Sequence, residues 1–236
     1  MTLKLNKNFA ILYGIMLGDG CLSLVYEKKK FISITGNSND DMPFFNDIIK
    51  PILNQLINKE IPIKFRKNEN TIDINFINHR LFDFINSFGF PIGKKGDRLF
   101  IPKVFYDKNL VKYLIRGFFA TDGSLVLTDN NGTLYPRVEA NGIAKILIRE
   151  INDYLNSVGI KSNLYLAKRR VQTTYPNNQE QYRIQINGKH NLKKFIKEIG
   201  FVNPKQIERL KYYYEKTGST EDRTRDLVLM RDALDH

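Results

Sequence analysis

Residues 11–20 read ILYGIMLGDG, a segment that is apolar around its whole circumference until it ends in Gly18, Asp19 and Gly20. A helix that is apolar on every face must be buried, so this segment predicts a core helix. The C-terminus of a helix carries partial negative charge and disfavours a nearby carboxylate by roughly 0.3–1 kcal/mol. Asp19 therefore stands where packing alone would not place an acid.

A second copy of this pattern lies in residues 113–126, which read YLIRGFFATDGSLV and place Asp122 at an offset of 103 residues from Asp19. A further match joins NHRLFDFINSFGF at 78–90 with KHNLKKFIKEIGF at 189–201. Two copies of one unit therefore make up most of the chain. The small residues of the two motifs also correspond: Gly14 with Gly117, Gly18 with Thr121 and Gly20 with Gly123.

Each copy is predicted to contain a motif helix, strands, a helix, a hairpin and a short helix, from the spacing of its apolar residues. We predict an N-terminal half at 1–100, a C-terminal half at 101–216, a linker within 94–109, and a tail at 217–236 whose role stays open. The first half is predicted to hold helices at 9–17, 42–57 and 81–88 and hairpins at 22–35 and 61–76. The second is predicted to hold a strand at 137–141, helices at 144–158 and 192–199, and a hairpin with a polar insertion at 171–182.

The composition indicates a soluble globular protein that attracts polyanions. Of the 236 residues 42% are hydrophobic, enough for a sizeable core, and the formal net charge is +12. A basic surface of this kind binds nucleic acid through phosphate neutralisation. Because we find neither a basic amphipathic helix nor an apolar run of roughly 18 residues, we expect no membrane partner.

The cysteine and histidine content indicates the redox state of the compartment and limits the kinds of metal ligand. Cys21 is the only cysteine, which rules out an internal disulfide and fits a reducing, intracellular compartment that the sequence does not specify further. With three histidines and one cysteine, the chain cannot build a zinc finger, so any metal must be held by oxygen atoms. We interpret His79 and His190 as structural residues at the starts of equivalent helices and Cys21 as a small buried residue.

The two motif helices are predicted to pack against each other. Gly14 and Gly18 lie four residues apart, so they share one helix face where another backbone can approach closely. If the helices pack side by side, Asp19 and Asp122 come together, and two carboxylates 4 Å apart repel each other by about 4 kcal/mol at an effective dielectric near 20. A divalent cation would reverse this repulsion, because hard cations favour carboxylate and carbonyl oxygens. The predicted metal ligands are Asp19, Asp122, and the helix ends at Gly18 and Thr121.

The segments LYGIMLGDG and IRGFFATDG resemble the two motifs of the LAGLIDADG homing endonucleases, and specifically the single-chain members with two motifs. The resemblance covers residues from about 8 to 212. It implies an α+β fold of two αββαββα halves related by a pseudo-twofold axis, with the motif helices at the interface and antiparallel sheets forming a DNA-binding saddle.

The same resemblance implies the activity of a monomer that binds double-stranded DNA. It would hydrolyse both strands across the minor groove of a long target site and leave short 3′ overhangs. Mg²⁺ would be the cofactor, Mn²⁺ would replace it, and Ca²⁺ would bind without supporting cleavage. Because we find no intein splicing residues framing the chain, an intron-encoded or freestanding nuclease is expected.

The family also carries a basic residue after the last helix of each half and a polar residue, often Gln, at the end of the second strand. The matching lysines are Lys94 and Lys205, with Lys95 as a substitute for the first, and we expect them to assist catalysis. At the strand ends the chain departs from the family, since Gly36 and Ala140 occupy the region. Asn37, Glu139 or Asn141 would have to supply the polar group.

The predicted hairpins place alternate residues on opposite faces, so one face packs on the core and the other is free to contact DNA. A two-stranded ribbon fits the major groove, where Arg pairs with guanine and Gln or Asn with adenine. Arg169 is expected to point away from this face. The predicted DNA-binding residues are Lys28, Lys30, Ser33, Lys64, Arg66, Asp73, Asn75, Arg137, Glu139, Lys168, Arg170, Arg183 and Gln185.

Three alternatives to a nuclease remain open from the sequence. An RNA maturase that binds intron RNA, or a DNA-binding regulator, would keep the scaffold without cleaving, although retention of both Asp19 and Asp122 argues against either. A basic ribosome-associated protein would bind nucleic acid without sequence preference.

Overall fold

The computed structural model describes residues 3–67, 69–167 and 180–218. By contacts in space these residues form two compact units. The first contains the residues up to Lys95, Pro102–Thr121 and Phe201–Arg209, and the second contains Gly96–Ile101, Asp122–Gly200 and the residues from Leu210. The predicted halves 1–100 and 101–216 follow the sequence repeat instead, and that division stays a prediction. None of the helices in the described part of the chain is long and apolar enough to cross a membrane.

The first unit begins with the helix of the first motif, α1 (Lys7–Asp19). The side chain of Asn6 caps this helix by accepting a hydrogen bond of 2.9 Å from the Phe9 N–H. Every residue from Phe9 to Leu17 is buried, as predicted for a helix that is apolar on all sides. The remaining elements in chain order are β1 (Gly20–Val25), β2 (Lys29–Asn37), α2 (Met42–Phe44), α3 (Lys50–Ile57), β3 (Lys64–Phe65), β4 (Thr71–Ile77), α4 (His79–Ser87), α5 (Lys103–Asp107) and α6 (Val111–Asp122, of which the last residue lies in the second unit).

The four strands of this unit form one antiparallel sheet in the order β1-β2-β4-β3. Its inner face is apolar and lies against α1 and α4. Its outer face carries the alternate, polar residues, as the period of two predicts. The fully buried residues of the inner face are Leu22, Ile32, Ile34, Ile72 and Ile74.

The helix predicted at 42–57 is present but changes its winding before Pro51. Between α2 and α3 the chain forms a π-helical turn at Phe45–Ile49. Proline lacks an N–H and its ring crowds the carbonyl four residues earlier, so the wider turn accommodates Pro51 without ending the helix. The predicted helix at 81–88 is α4, and Gly89 follows it with the positive φ of 87° that a glycine terminator adopts.

The second unit repeats the pattern. Its elements are β5 (Gly123–Asn130), β6 (Thr133–Gly142), α7 (Lys145–Ser157), β7 (Asn163–Ala167), β8 (Gln181–Asn187) and α8 (Lys189–Glu198). The antiparallel sheet has the order β5-β6-β8-β7, the counterpart of the first sheet. Helices α7 and α8 cover one face of it. The predicted insertion at 171–182 lies mostly outside the described residues.

Two helices differ from the sequence predictions. The segment predicted as a linker contains α5, which buries Phe105 completely. After α8 the chain continues into α9 (Pro204–Thr217), a helix that was not predicted from the sequence. The predicted α+β class is otherwise confirmed, since each copy of the repeat contains two pairs of antiparallel strands and the helices between them.

Candidate active site and nucleic-acid interface

The first unit brings the two motif helices into backbone contact. A Cβ atom added to Gly14 of α1 would overlap the Leu114 carbonyl oxygen of α6 and lie 2.8 Å from the Phe118 nitrogen. A Cβ added to Gly117 would overlap the Ile11 carbonyl oxygen and lie 3.0 Å from the Ile15 nitrogen. The contact is reciprocal. Gly14 faces Leu114 and Phe118, which lie before and after Gly117, and Gly117 faces Ile11 and Ile15, which lie before and after Gly14. The predicted pairing of the motif helices is therefore confirmed.

Asp19 is the last residue of α1 and is exposed to solvent. Desolvation by the surrounding protein raises the pKa of its carboxyl to about 6, against the lowering effect of Lys95 and with a further rise from Asp41. Because the side chain is exposed, water screens the effects of the two charged neighbours. A carboxylate with a raised pKa and a specific cation beside it is typical of a functional site.

The positive charge at this end of α1 is the ammonium group of Lys95. Its Nζ donates to the carbonyl oxygens of Leu17 at 3.0 Å and Met16 at 3.3 Å, and also to that of Gly18. These carbonyls belong to the last turn of α1 and carry the negative end of its dipole, and that of Met16 also accepts from the Gly20 N–H at the helix end. Lys95, predicted as the substitute for Lys94, is half-buried at the end of α1, whereas Lys94 is exposed.

The last carbonyls of α6 are bound by neutral amides. Asn203 Nδ2 donates to the Ala120 oxygen at 2.8 Å, and Gln206 Nε2 donates to the Phe119 oxygen at 2.6 Å. Both amide residues are only 6% exposed. Sequence reasoning missed them, although they lie in FVNPKQ, the segment that matches FPIGKK with Lys95.

The other two predicted residues at the end of α6 are half-buried, and neither role is tested by its position. The Thr121 hydroxyl donates to the Phe118 oxygen at 3.0 Å, within the last turn of the helix. Asp122 is the final residue of α6, directly before β5. Its proposed partnership with Asp19 stays a prediction.

Lys205 lies in the first unit and contacts an acid that the sequence did not point to. Its Nζ donates to Asp40 Oδ2 at 2.6 Å. Asp40 belongs to the turn between β2 and α2, and the next residue, Asp41, is the acid that raises the pKa of Asp19. The sequence signal for this turn was the run SNDD at 38–41, which by itself is typical of any helix start.

The outer face of the first sheet carries most of the residues predicted there. The register aligns Ser33 with Asn75 and Asp73 with Lys64, so these four side chains share one face. Arg66 joins them, because its Nε donates to Asp73 Oδ2 at 3.0 Å. This ion pair explains how Asp73 is only 7% exposed on a solvent-facing surface.

Two lysines of the first sheet deviate from the predicted face. Lys30 has the parity of Ile32 and Ile34, and its ammonium binds Asp83 of α4 and lies 5.7 Å from the centre of the Phe82 ring. Lys30 therefore lies on the helix side of the sheet, and the prediction that it belongs to the DNA-binding face is wrong. Lys28 lies in the turn between β1 and β2, next to Glu27 with its φ of 55°.

The outer face of the second sheet forms a hydrogen-bonded network. Arg137 Nε donates to Glu139 Oε2 at 2.9 Å, and Gln185 Nε2 donates to the same oxygen at 3.4 Å. Arg183 Nε donates to Asn141 Oδ1 at 2.8 Å. Their predicted shared face is therefore confirmed, although DNA contact itself is not tested. Lys168 and Arg170 lie outside the described residues.

Some residues on these faces were not expected from the sequence. Tyr135 and Tyr165 lie on the outer face of the second sheet with 54% and 46% of their surfaces exposed. Cys21 pairs with Ser33 on the outer face of the first sheet and is half-buried, so its interpretation as a core residue is wrong. Ala140 is fully buried, so the polar group expected at that strand end must come from a neighbour such as Glu139 or Asn141.

The acidic residues fit a divalent cation only as part of a larger ligand set. Among the described residues no group of three or more His, Cys, Asp or Glu could hold a metal ion. The end of α1 offers the Asp19 carboxylate and the Gly18 carbonyl oxygen, which accepts from Lys95 and has a second lone pair, and both are hard ligands suited to Mg²⁺. Mg²⁺ typically takes one or two carboxylates and completes its shell with water and phosphate oxygens, so this donor set is compatible with a site shared with DNA.

Comparison with known proteins finds a family match over part of the chain and solved structures of the same fold. Residues 109–200 match the LAGLIDADG-like domain family. The homing endonuclease I-DmoI, in a structure of its mesophilic variants, superposes with a TM-score of 0.58 and 16% identity over 82% of this chain and 95% of that chain. The LAGLIDADG homing endonuclease I-LtrWI bound to target DNA superposes with a TM-score of 0.57 and 11% identity, over 95% and 97%.

Curated relatives match over most of this chain but a small part of their own. The replication factor C small subunit of Methanocaldococcus jannaschii is 25% identical over 208 residues, which are 87% of this chain and 10% of that protein. The corresponding subunit of Thermococcus kodakarensis is 23% identical over 83% of this chain and 20% of its own length.

The chain therefore has the two-sheet fold of the LAGLIDADG homing endonucleases, as its motifs predicted. The match to the LAGLIDADG-like domain covers its second motif and the second sheet.

Proposed function

We propose that the protein is a site-specific DNA endonuclease that makes a double-strand break at a long target site. The observation that carries the proposal is the end of α1, where the exposed Asp19 carboxylate has a raised pKa beside the Lys95 ammonium. The same sequence pattern recurs at Asp122, so the proposed enzyme has one such acid for each DNA strand. Relatives of the same fold were solved with DNA and Ca or Mn, which supports a metal-dependent role.

Asp19 and Asp122 would hold the metal, together with the carbonyl oxygens of Gly18 and Thr121. When bound, Mg²⁺ supplies an activated water and charge relief at the scissile phosphate, and Mn²⁺ would substitute for it. The carboxyl of Asp19 must be ionised to act as a ligand. Ca²⁺ would bind without supporting cleavage.

Lys95 and Lys205 would provide positive charge near the reacting phosphate. Lys95 is fixed by the carbonyls of α1, so its ammonium is held in place before DNA binds. A preorganised cation stabilises developing negative charge without reorganisation during the reaction. Lys94 remains the alternative proposed from the sequence alignment of the two copies.

The outer faces of the two sheets would bind the DNA. Arg183, Gln185 and Arg137 present donors suited to guanine and adenine edges. Glu139 fixes the directions of Arg137 and Gln185, and Asn141 fixes that of Arg183. The pairing of Arg66 with Asp73 plays the same part on the first sheet. A side chain held by a neighbour loses less entropy when it binds a base.

A cleavage assay tests this proposal. The genomic flanks of the reading frame, joined without it, are cloned as the candidate target in a supercoiled plasmid and incubated with protein and Mg²⁺. Linear product is expected from the parent and from Asp47→Asn, a matched loss of one exposed acid. Asp19→Asn and Asp122→Asn are expected to yield none, and sequencing of the ends should show 3′ overhangs.

The outcomes separate the competing functions. Equal cutting by Asp19→Asn, Asp122→Asn and the parent would refute the proposed chemistry. A parent that cuts no DNA but binds the flanking intron RNA tightly would favour a maturase. Binding to every sequence with the same affinity at fixed salt would favour a non-specific basic protein.

A further inference from the structure

We propose that Asp40 is a positioning residue that holds the Lys205 ammonium beside the Asp19 end of α1. The inference rests on the proposed endonuclease function and adds to it a residue that neither the motifs nor their neighbouring segments indicate. It joins a lysine of the second sequence copy to an acid of the first.

The contact is direct and within one compact unit. Lys205 Nζ lies 2.6 Å from Asp40 Oδ2, although the two residues are separated by 165 positions in the sequence. Both side chains keep about half of their surface exposed, at 52% for Lys205 and 54% for Asp40. The ammonium is therefore held by one carboxylate while it remains open to a substrate phosphate.

The turn that presents Asp40 is tied to its surroundings at several points. Asn37 accepts backbone hydrogen bonds from Asp41 at 2.8 Å and from Asp40 at 3.3 Å. Its own N–H donates to Asp41 Oδ2 at 2.8 Å, and its side-chain oxygen accepts from the Asn39 N–H at 2.9 Å. A turn with this many internal hydrogen bonds offers the Asp40 carboxylate in a defined position.

Lys205 is fixed from the other side as well. Its backbone N–H donates to Asn203 Oδ1 at 3.0 Å, while Asn203 Nδ2 donates to the Ala120 carbonyl at the end of α6. The backbone of Lys205 is therefore anchored to the second motif helix. Asp40 then limits where the long side chain can reach.

The same turn follows the end of β2 that lies nearest to Asp19. Strand β1 begins at Gly20, directly after Asp19, and Gly20 pairs with Ile34 of β2, which ends at Asn37. The turn that carries Asp40 therefore lies near the proposed metal ligand. This adjacency is the reason to assign Asp40 a role in the reaction rather than in folding.

Energetics support the same distinction. An ion pair between exposed side chains contributes little to stability, so loss of Asp40 should barely change the melting temperature. Misplacement of a catalytic group by about 1 Å can lower a rate by as much as 100-fold. A positioning role therefore predicts a loss of rate without a loss of stability.

Single-turnover cleavage at saturating protein, together with DNA affinity in Ca²⁺, tests the inference. Asp40→Asn is expected to lower the rate constant by about tenfold, with DNA affinity changed less than about twofold. Asp40→Glu, which restores a carboxylate, should recover most of the rate. Asp47→Asn removes the same charge from an exposed site near the turn and should cleave like the parent.

The pair is confirmed as a unit if Asp40→Asn adds no further loss to Lys205→Met, since residues that act together have non-additive effects. Cleavage by Asp40→Asn at the rate of Asp47→Asn, or full additivity with Lys205→Met, would overturn the positioning role while leaving the nuclease intact. Absence of cutting by both the parent and Asp47→Asn would overturn the proposed function and this inference with it.

Discussion

Replacing either glycine of the helix contact by alanine should destabilise the protein. A Cβ at Gly14 would overlap the Leu114 carbonyl and sit 2.8 Å from the Phe118 nitrogen, and both atoms belong to the backbone. Since no rotamer change can relieve a backbone overlap, α1 and α6 would have to separate. Overpacking of this kind costs about 1–3 kcal/mol, and the overlap favours the upper end.

The gain in helix propensity offsets part of that cost. Glycine in a helix interior is less favourable than alanine by roughly 0.5–1 kcal/mol, so the net loss should be about 2 kcal/mol. Urea unfolding of Gly14→Ala and Gly117→Ala measures it, with Asp47→Ala on an exposed helical surface as the control. Because the contact is reciprocal, the second substitution should cost less once the first has separated the helices. Variants as stable as the parent, or strictly additive losses, would refute the close-packing argument.

The other predictions concern charges. The raised pKa of Asp19, about 6 against an ordinary 3.8, means that the folded state holds this proton more tightly than the unfolded state. Above pH 6 the ionised carboxyl lowers the free energy of unfolding, and this penalty disappears as the pH falls towards 4. In urea unfolding without metal, Asp19→Asn should therefore be more stable than the parent at pH 7 and equally stable near pH 4. Lys95→Met should move the NMR titration of Asp19 to higher pH. It should also destabilise the end of α1 by about 1–3 kcal/mol, because the hydrogen bonds from a cation are lost, and Lys94→Met is the control. An unmoved titration would contradict the proximity of Lys95 to Asp19. In DNA-binding assays at fixed salt with Ca²⁺, Arg183→Ala should cost about 1–3 kcal/mol while Lys30→Ala leaves the affinity nearly unchanged. The reverse order would contradict the placement of Arg183 on the DNA face of the second sheet and of Lys30 on the helix side of the first.

The spacing of apolar residues and the duplication of the motif account for the parts of the fold that the sequence predicted. The apolar run at 9–17 could only be a buried helix, and the recurrence of its ending at Asp122 implied a second one. The alternation at Thr71–Ile77 and Gln181–Asn187 predicted which residues face away from the core. The assignment of faces failed at Lys30, which shares the inner face with Ile32 and Ile34. The sequence cannot show that this lysine binds Asp83 of a neighbouring helix.

Segments without a clear period were harder to predict. Helix α5 lies in a stretch that reads as a linker because of its glycines and charges, yet Phe105 is completely buried. Helix α9 was missed since its first residue is a proline and its composition is strongly polar. Proline is well suited to the first turn of a helix, so Pro204 was a start signal that composition concealed.

The sequence by itself determined the duplicated motif, the α+β class, the pairing of the motif helices and the two acids, because these follow from local periodicity and from similarity between two copies. Only the tertiary structure decided that Lys95 binds the end of α1, that Asn203 and Gln206 bind the end of α6, and that Lys205 is held by Asp40. These contacts join residues 77 to 165 positions apart through carbonyls at helix ends and surface charges. Hydrogen bonds and ion pairs of this kind have short range and no sequence period, so they depend on how separate elements meet in space.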